Sequence, residues 1–453
     1  MSEDHPARKV LERFVLGHLP PPEMQQVSQH LLDGCSGCRQ ITAGLRDERR
    51  HGEDIEDVED GRARDSYDEA IDRVYRVILS REAEVARERT RGRELFVELM
   101  RHPPARQHLL VGNSGRFQCR VLCEVLLEEA HEAGFRDPSR SVELARLAVD
   151  VAERLAEGDR RDDLDGLRAL AWAQLGTALR ISSDHAGAER GFAMARALLD
   201  TGRVSLLETA RVLDLEASLR RDQRRFAEAG DLMDRVIAIY RKLGQKNLLG
   251  RSLKQKSMVC GESGDHEGEI ALLKHALELL SPEAEARTFL AARHNLISAL
   301  CEIGRPREAF ALLFHTRPLY LKMGDRLNLL RLRWLEGTVA LGLQRKEQAA
   351  VAFREVREAF LDLGLDYDAA LASLDLAEVY ALQGKTAEVR RLADEILDVF
   401  RSRSIHREAL GALSILQQAA RVERAGHALI REVGSYLRRA RNHPDLEFTP
   451  QSS

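Results

Sequence analysis

The chain has 453 residues, with 69 Lys and Arg against 73 Asp and Glu, a net charge of −4. That balance excludes a surface that is one continuous footprint for nucleic acid or anionic lipid. A hydrophobic content of 44% excludes a disordered chain. Length alone suggests about three domains. Only nine of the 69 basic residues are Lys, so the positive charge is mostly Arg, which grips carboxylates with a bidentate fork.

The opening MSEDHPARK is acidic and lacks an apolar run, so no secretory signal is expected. The longest stretch free of Asp, Glu, Lys and Arg is Ala409 to Ala420, twelve residues. A spanning helix needs about 20, so no membrane segment is expected. Six Cys are too few for a disulfide scaffold in a chain of this length. A reducing cytoplasmic location follows as the expectation.

Residues 1–50 read as a small helical module. Pro6 to Leu16 is a predicted helix with Val10, Leu11, Phe14 and Val15 on one side, ended by Pro20-Pro21-Pro22. Glu23 to Leu32 restarts it, with Met24, Val27 and Leu31 at helical spacing. An Asp33-Gly34 turn leads into Cys35-Ser36-Gly37-Cys38 and a third helix. Zinc prefers thiolates and imidazole in a tetrahedral array. Cys35 and Cys38 supply two such ligands, and His30, at the end of the preceding helix, can supply a third. A closed structural site needs a fourth, and His5 and His18 both lie upstream.

Residues 51–105 read as an acidic linker and a long helix. Glu53 to Asp60 holds six acids in eight positions, the pattern of a solvated run. From Ser66 a helical pattern places Ile71, Val74, Val77 and Ile78 on one face. Charges then alternate to about Arg93, a second apolar run reaches Met100, and His102-Pro103-Pro104 stops the helix. A loop at Gly112-Asn113-Ser114-Gly115 precedes a predicted helix from about Phe117 to Glu132.

From about 137 the chain repeats. Gly176, Ala217, Ser257, Ile297, Gly337 and Ala377 are spaced by 41, 40, 40, 40 and 40 residues. The same steps carry Ala188, Ala229, Glu269, Ala309, Ala349 and Val389. They also carry Phe192, Met233, Leu273, Leu313, Phe353 and Ala393, and then Ala195, Val236, Ala276, Thr316, Val356 and Ile396. Gly264, Gly304 and Gly384 mark turns within units, and Gly244, Gly324 and Gly364 mark turns between them. A small residue in a first helix lets a second helix approach, and a large residue of the second fills the groove. Each pair leaves an apolar face that only the next can cover, so the units stack.

This pattern resembles the tetratricopeptide repeat. Leu175-Gly176, Leu179, Ala188, Phe192 and Ala195 carry its signature spacing, as do Gly264-Asp265 with Ala276-Leu277, and Leu376-Ala377, Tyr380 and Gly384. Glu269, Val389 and Ile297 depart from it. The period is about 40 rather than 34, so the helices are longer than the standard type. HEAT-like repeats share the longer period, but the internal spacing follows the tetratricopeptide form. Residues 118–156 read as a divergent repeat with Ser141, Ala145 and Ala148 as its contacts. Residues 405–441 read as a terminal cap. The expected architecture is all-α: a tetratricopeptide-like superhelix over 106–448 behind the small module.

The first 50 residues resemble the zinc-binding anti-sigma domain family, through His5-Pro6, Gly17-His18-Leu19, Pro22-Glu23, His30-Leu31 and Cys35-Ser36-Gly37-Cys38-Arg39. Four residues rather than the family's three separate His30 from Cys35. By that register His5 is the fourth ligand beside His30, Cys35 and Cys38. The resemblance implies zinc as the cofactor and a sigma factor as the partner.

Elsewhere, Cys119 and Cys123 share a helix face with His131 beyond them. They, Cys260 and Cys301 read as small buried hydrophobes of repeat helices rather than ligands. No phosphate loop, no GxGxxG opening a helix and no HExxH occurs. His315, His406 and His427 read as surface or core positions, and a non-enzymatic protein is expected. On the concave face of the repeats, Arg211, Asp214, Arg251, Lys254, His294, Asn295, Arg331 and Trp334 fall at groove-facing positions. Such a set suits an extended or helical peptide with acidic groups. The expected function is a cytoplasmic protein-interaction regulator, acting on transcription through a sigma-factor-like partner of the module while the repeats engage another protein. The alternative is an adaptor in a multiprotein assembly with purely structural zinc. Neither involves direct nucleic-acid or membrane contact.

Overall fold

The computed structural model describes residues 5–16, 18–32, 35–51, 86–134, 136–155, 161–402 and 426–440, with isolated positions in 80–84 and 413–420 and at 448. The acidic run at 53–60, the predicted face of Ile71, Val74, Val77 and Ile78, and the Asp33-Gly34 turn lie outside the described residues. All regular structure among the described residues is helical. No helix there is long and apolar enough to cross a membrane.

The N-terminal module holds α1 (Arg8–Leu16), α2 (Pro21–Leu32) and α3 (Ser36–His51). Its core is small: Leu11, Phe14, Val15, Leu19, Val27, Leu31 and Cys38. Arg39 Nε donates to the Leu31 carbonyl at 2.8 Å, and Thr42 Oγ1 donates to the Cys38 carbonyl at 2.9 Å. The first of these bonds holds the start of α3 against the end of α2, and the second lies within α3.

A helix over 86–100 follows, α4, then α5 (Pro104–Asn113), a 3₁₀ turn at Gly115–Phe117, α6 (Arg120–Ala133), α7 (Pro138–Glu153), α8 (Arg161–Ile181) and α9 (His185–Leu199). Then come α10 (Leu206–Asp222), α11 (Phe226–Lys242), α12 (Lys246–Ser263), α13 (His266–Leu279), α14 (Ala286–Glu302) and α15 (Pro306–Met323). The array continues with α16 (Arg326–Gly342), α17 (Lys346–Asp362), α18 (Asp366–Leu382) and α19 (Thr386–Ser402), and α20 (His427–Ala440) is the last described helix. The chain divides into two compact units, residues 1–209 with 242–244, and 210–241 with 245–453.

In the first unit, α4 packs on α6. A Cβ on Gly92 would lie 2.9 Å from the Val121 carbonyl oxygen, and Leu95 and Leu99 are buried. Arg116 pairs with Glu98 at 2.5 Å. The expected segment boundary near 105 therefore coincides with the helix break at His102-Pro103-Pro104 but not with a break in packing. The α6–α7 hairpin is the divergent repeat, with Ser141, Ala145 and Ala148 fully buried and Ser141 Oγ donating to the Ala130 carbonyl at 2.7 Å.

The 40-residue register is physical. Every member of the small-residue series from Gly176 to Ala377 is buried. A Cβ on Gly176 would meet the Phe192 ring at 2.9 Å, and one on Gly337 the Phe353 ring at 2.7 Å. Glu269, which departs from the repeat pattern, is accommodated by Gly261 opposite it. A Cβ there would lie 2.5 Å from the Glu269 carboxylate, and His266 Nδ1 lies 3.1 Å from the same carboxylate. Turns inside the hairpins require left-handed backbone once per repeat. Gly264, Gly304 and Gly384 supply it freely, but Ser183, Arg224 and Gln344 occupy the equivalent positions at φ +64°, +58° and +62°.

Two substitutions test this register by thermal unfolding. Gly337→Leu drives a side chain into Phe353 and should cost about 1–3 kcal/mol. Ser183→Gly relieves a left-handed non-glycine residue and should stabilise by about 0.5–1 kcal/mol. Equal or greater stability for Gly337→Leu contradicts the helix contact.

Candidate functional site

Two arrangements of side chains concentrate chemistry. The first lies in the N-terminal module. Cys35 stands just before α3 and Cys38 in its first turn, the C-terminal turn of α2 presents His30, and the segment leading into α1 presents His5. Their ligand atoms all lie within 4.8 Å of one another. His5 Nδ1 is 3.4 Å from His30 Nε2, 3.2 Å from Cys35 Sγ and 3.8 Å from Cys38 Sγ. A tetrahedral zinc ion with Zn–N near 2.0 Å and Zn–S near 2.3 Å requires ligand separations of about 3.3–3.8 Å. The donor set suits zinc and the three separations from His5 lie close to this range, and among the described residues no other group of this kind occurs. In the metal-free protein, burial and then the neighbouring Cys35 push the Cys38 thiol up to about 11. A cation that stabilises both thiolates would be bound with release of protons. His18, the other upstream histidine, is exposed and stands outside the group.

The remaining cysteines are not gathered into such a set. Cys123 is buried and its thiol lies 3.5 Å from the Ala148 carbonyl oxygen. Burial pushes the Cys301 thiol up to about 12, so it is protonated and unreactive at neutral pH.

The second arrangement is a stripe on the first helices of the second unit, α10, α12, α14 and α16. Arg211, Arg251 and Arg331 share a 40-residue register whose third position is Ala291, and all three are exposed; Asp214, Lys254, His294 and Trp334 recur one helical turn later and are half-buried. Beneath the second set sits the end of a second helix, 26 residues downstream each time. His294 Nδ1 is 2.6 Å from the Tyr320 hydroxyl, and Trp334 packs edge-on against Phe360 at 5.5 Å between ring centroids. Asp214 raises the hydroxyl pKa of Tyr240 electrostatically, after burial. Sequence reasoning missed Tyr240, Tyr320 and Phe360, although the 26-residue offset repeats and marks them.

The stripe is not uniform. Arg251 is already paired, with guanidinium nitrogens 2.7 and 2.8 Å from Glu285. Trp334 donates its indole N–H to Asp375 at 2.6 Å, so its polar edge is committed. Lys254 Nζ lies 3.3 Å from Met258 Sδ, and burial lowers its pKa. The open part lies between α14, α15 and α16, a cavity of about 440 Å³ lined by Arg287, His294, Asn295, Tyr320, Asn328 and Arg331 among others. Burial and then Arg331 pull the His294 imidazole down to about 4, so the ring is neutral at physiological pH. Neither Arg287 nor Arg331 has an ion-pair partner among the described residues. The cavity thus offers the guanidinium groups of Arg287 and Arg331, the latter donating to Asn328 Oδ1 at 3.5 Å, with the Asn295 amide and a neutral imidazole beside the Asp325 carboxylate that accepts from Asn328, a set suited to carboxylates and peptide groups.

No protein-family description and no curated protein matches the chain. Solved structures do. The apo form of RapI is 12% identical over 70% of this chain and 86% of that one, with a TM-score of 0.52. A Rap protein complexed with competence and sporulation factor is 11% identical over 71% and 91%, with a TM-score of 0.50. The apo form of the quorum sensor NprR from B. thuringiensis is 14% identical over 68% and 84%, with a TM-score of 0.50. At these identities the likeness is one of fold: an all-α array of tetratricopeptide-like helical repeats.

Asp214 yields a pH test. Burial pushes its carboxyl up to about 6, against the opposing pull of Arg221, Lys254 and Arg251. With a folded value above the ordinary 3.8, the folded state holds the proton more tightly than the unfolded one. The stability Asp214 contributes is complete below about pH 4 and lost as pH rises through 6. Asp214→Asn should raise the melting temperature more at pH 7.5 than at pH 4.5. A larger gain at pH 4.5 contradicts the assignment.

Proposed function

We propose that the chain is a non-enzymatic protein-interaction regulator whose repeats hold a peptide segment with acidic groups on the first-helix stripe. The observation that carries this is the pair Arg287 and Arg331, neither of them in an ion pair among the described residues, facing one cavity with Asn295, Asn328 and neutral His294. Isolated guanidinium groups at the rim of a cavity bind carboxylates bidentately, and side-chain amides suit the main chain of an extended peptide. The fold neighbours favour the same reading, since one is a Rap protein in complex with competence and sporulation factor and another is a quorum sensor.

The N-terminal module supplies the second half of the proposal. His5, His30, Cys35 and Cys38 would hold one zinc ion, which supplies folding free energy rather than chemistry, because four protein ligands leave no open coordination position. The sequence resemblance to anti-sigma modules makes a sigma factor the favoured partner of this module and transcription the favoured setting. An adaptor with purely structural zinc is the second reading, favoured by the four-residue spacing between His30 and Cys35, which departs from the anti-sigma pattern.

Metal analysis of protein purified without chelator should find one zinc per chain. Cys35→Ser should lose it and His18→Ala should keep it, and metal-free wild-type protein rejects the site.

The groove is tested with Arg287→Glu/Arg331→Glu. Since neither arginine is in an ion pair and Arg331 gives up only its 3.5 Å bond to Asn328, the melting free energy should change by no more than about 0.5 kcal/mol. Proteins retained from the native host by the wild-type chain should no longer be retained by this variant. A sigma factor retained by wild type and lost with Cys35→Ser supports the regulator. Assembly components that survive Cys35→Ser but not the arginine reversal support the adaptor.

A further inference from the structure

We infer that the open side of α18 is a docking surface for a basic amphipathic helix, and that α20 is its exchangeable occupant within the chain. The inference extends the first-helix stripe by one repeat, and it rests on the groove reading only in placing the binding face on first helices.

Forty residues after Arg331 and Trp334 come Leu371 and Leu374. In the preceding repeats these positions are charged or polar except for Ala291, and none of them is fully buried. On α18 they are apolar and closed, Leu371 being 4% and Leu374 1% exposed. The cover is α20. Its Ile430, Val433, Gly434 and Leu437 are buried and recur at i, i+3, i+4 and i+7, a single apolar stripe. A Cβ on Gly434 would lie 3.8 Å from the Leu374 Cβ. Tyr367, on α18, donates its hydroxyl to the Leu437 carbonyl at 2.5 Å.

Charge matches as well as shape. Arg431 and Arg438 stand two turns apart on one flank of the apolar stripe. Arg431 reaches Glu302 on α14 at 3.1 Å. Arg438 pairs with Asp375 on α18, the same carboxylate that accepts the Trp334 indole N–H. Glu378 lines the same cavity, and burial followed by repulsion from Asp375 pushes its carboxyl up to about 7. Three acids from two first helices therefore face two arginines of α20.

The occupant does not fill its seat. A cavity of about 340 Å³ remains beneath α20, lined by Glu302, Asp375, Glu378, His427, Arg431 and Arg438 among others. The Arg431–Glu302 pair is half-exposed on both sides, so it contributes little to holding the helix down. What favours α20 over a free helix of the same pattern is covalent tethering, a high effective concentration rather than superior contacts. A partner helix with the apolar spacing of Ile430, Val433, Gly434 and Leu437 and bulkier basic side chains would compete for the seat.

Hydrogen exchange on the full chain tests this first. Amides of α20 should exchange by local opening, faster than those of α12 to α18. Exchange of α20 only together with α18 overturns the inference and makes the helix a fixed cap. In Arg431→Glu/Arg438→Glu the α20 amides should exchange about tenfold faster while α12 to α17 are unchanged. A labelled peptide of residues 426–441 should bind that variant about tenfold more tightly than wild type. Equal binding to both, or to neither, also overturns it. Arg331→Glu reports on the peptide groove and should leave α20 exchange unchanged, so the two readings fail separately.

Discussion

The contact of a small first-helix residue with a large second-helix residue is the constraint on which the repeat array depends. At Gly176 against Phe192 and Gly337 against Phe353 there is no room even for a methyl group. That approach fixes the rotation of each first helix about its axis. Once Gly337 faces the partner helix, residues three and six positions earlier, Trp334 and Arg331, are carried to the flank that the partner does not cover. The same offset carries Asp214 and Arg211 from Ala217, Lys254 and Arg251 from Ser257, and His294 from Ile297. A functional surface is therefore produced as a by-product of core packing, and its residues can change without disturbing the core.

The chain uses that freedom. One scaffold position carries a half-buried carboxyl at 214, an ammonium at 254, a neutral imidazole at 294, an indole at 334 and a leucine at 374. The residue beneath changes in concert: Tyr320 bonds to His294 through its hydroxyl, whereas Phe360, with no hydroxyl, stacks against Trp334. Burial decides the electrostatics at each step. It raises Asp214, lowers Lys254 and lowers His294, so each ionisable side chain on the half-buried line is drawn toward its neutral form. The exposed line carries the guanidinium groups of Arg211, Arg251 and Arg331.

The N-terminal module obeys different physics. Its core is seven buried apolar residues, too few to offset the entropy of ordering three short helices without a further bond. The four ligand atoms come from three separate places in the module, the segment before α1, the end of α2 and the turn into α3. A metal ion there would tie together the elements that the small core holds weakly. The repeats draw stability from nearest-neighbour hairpins and have no such need.

The helical class, the 40-residue period and the buried identity of each register position were legible in the sequence, because small and large residues recur wherever helix axes must touch. The convergence of His30, Cys35 and Cys38 was legible because their separations are short and local. The choice of His5 over His18 was open from spacing alone and rested on a family register. The tertiary structure gathers His5 with the thiols and leaves His18 outside the group, although both histidines are exposed. Other features were decided by tertiary structure alone. Periodicity places Trp334 on the groove face, but its indole N–H is committed to Asp375, a partner 41 residues away. The ion pair of Arg251 with Glu285 and the lack of one at Arg331 among the described residues look identical in a helical pattern, because ion pairing depends on which side chains the stacking of hairpins brings within reach. The helix from His427 reads from sequence as part of a terminal cap. Its seating over Leu371 and Leu374, with an arm reaching Glu302, is set by contacts 60 to 130 residues apart along the chain, and no local pattern records a distance of that kind.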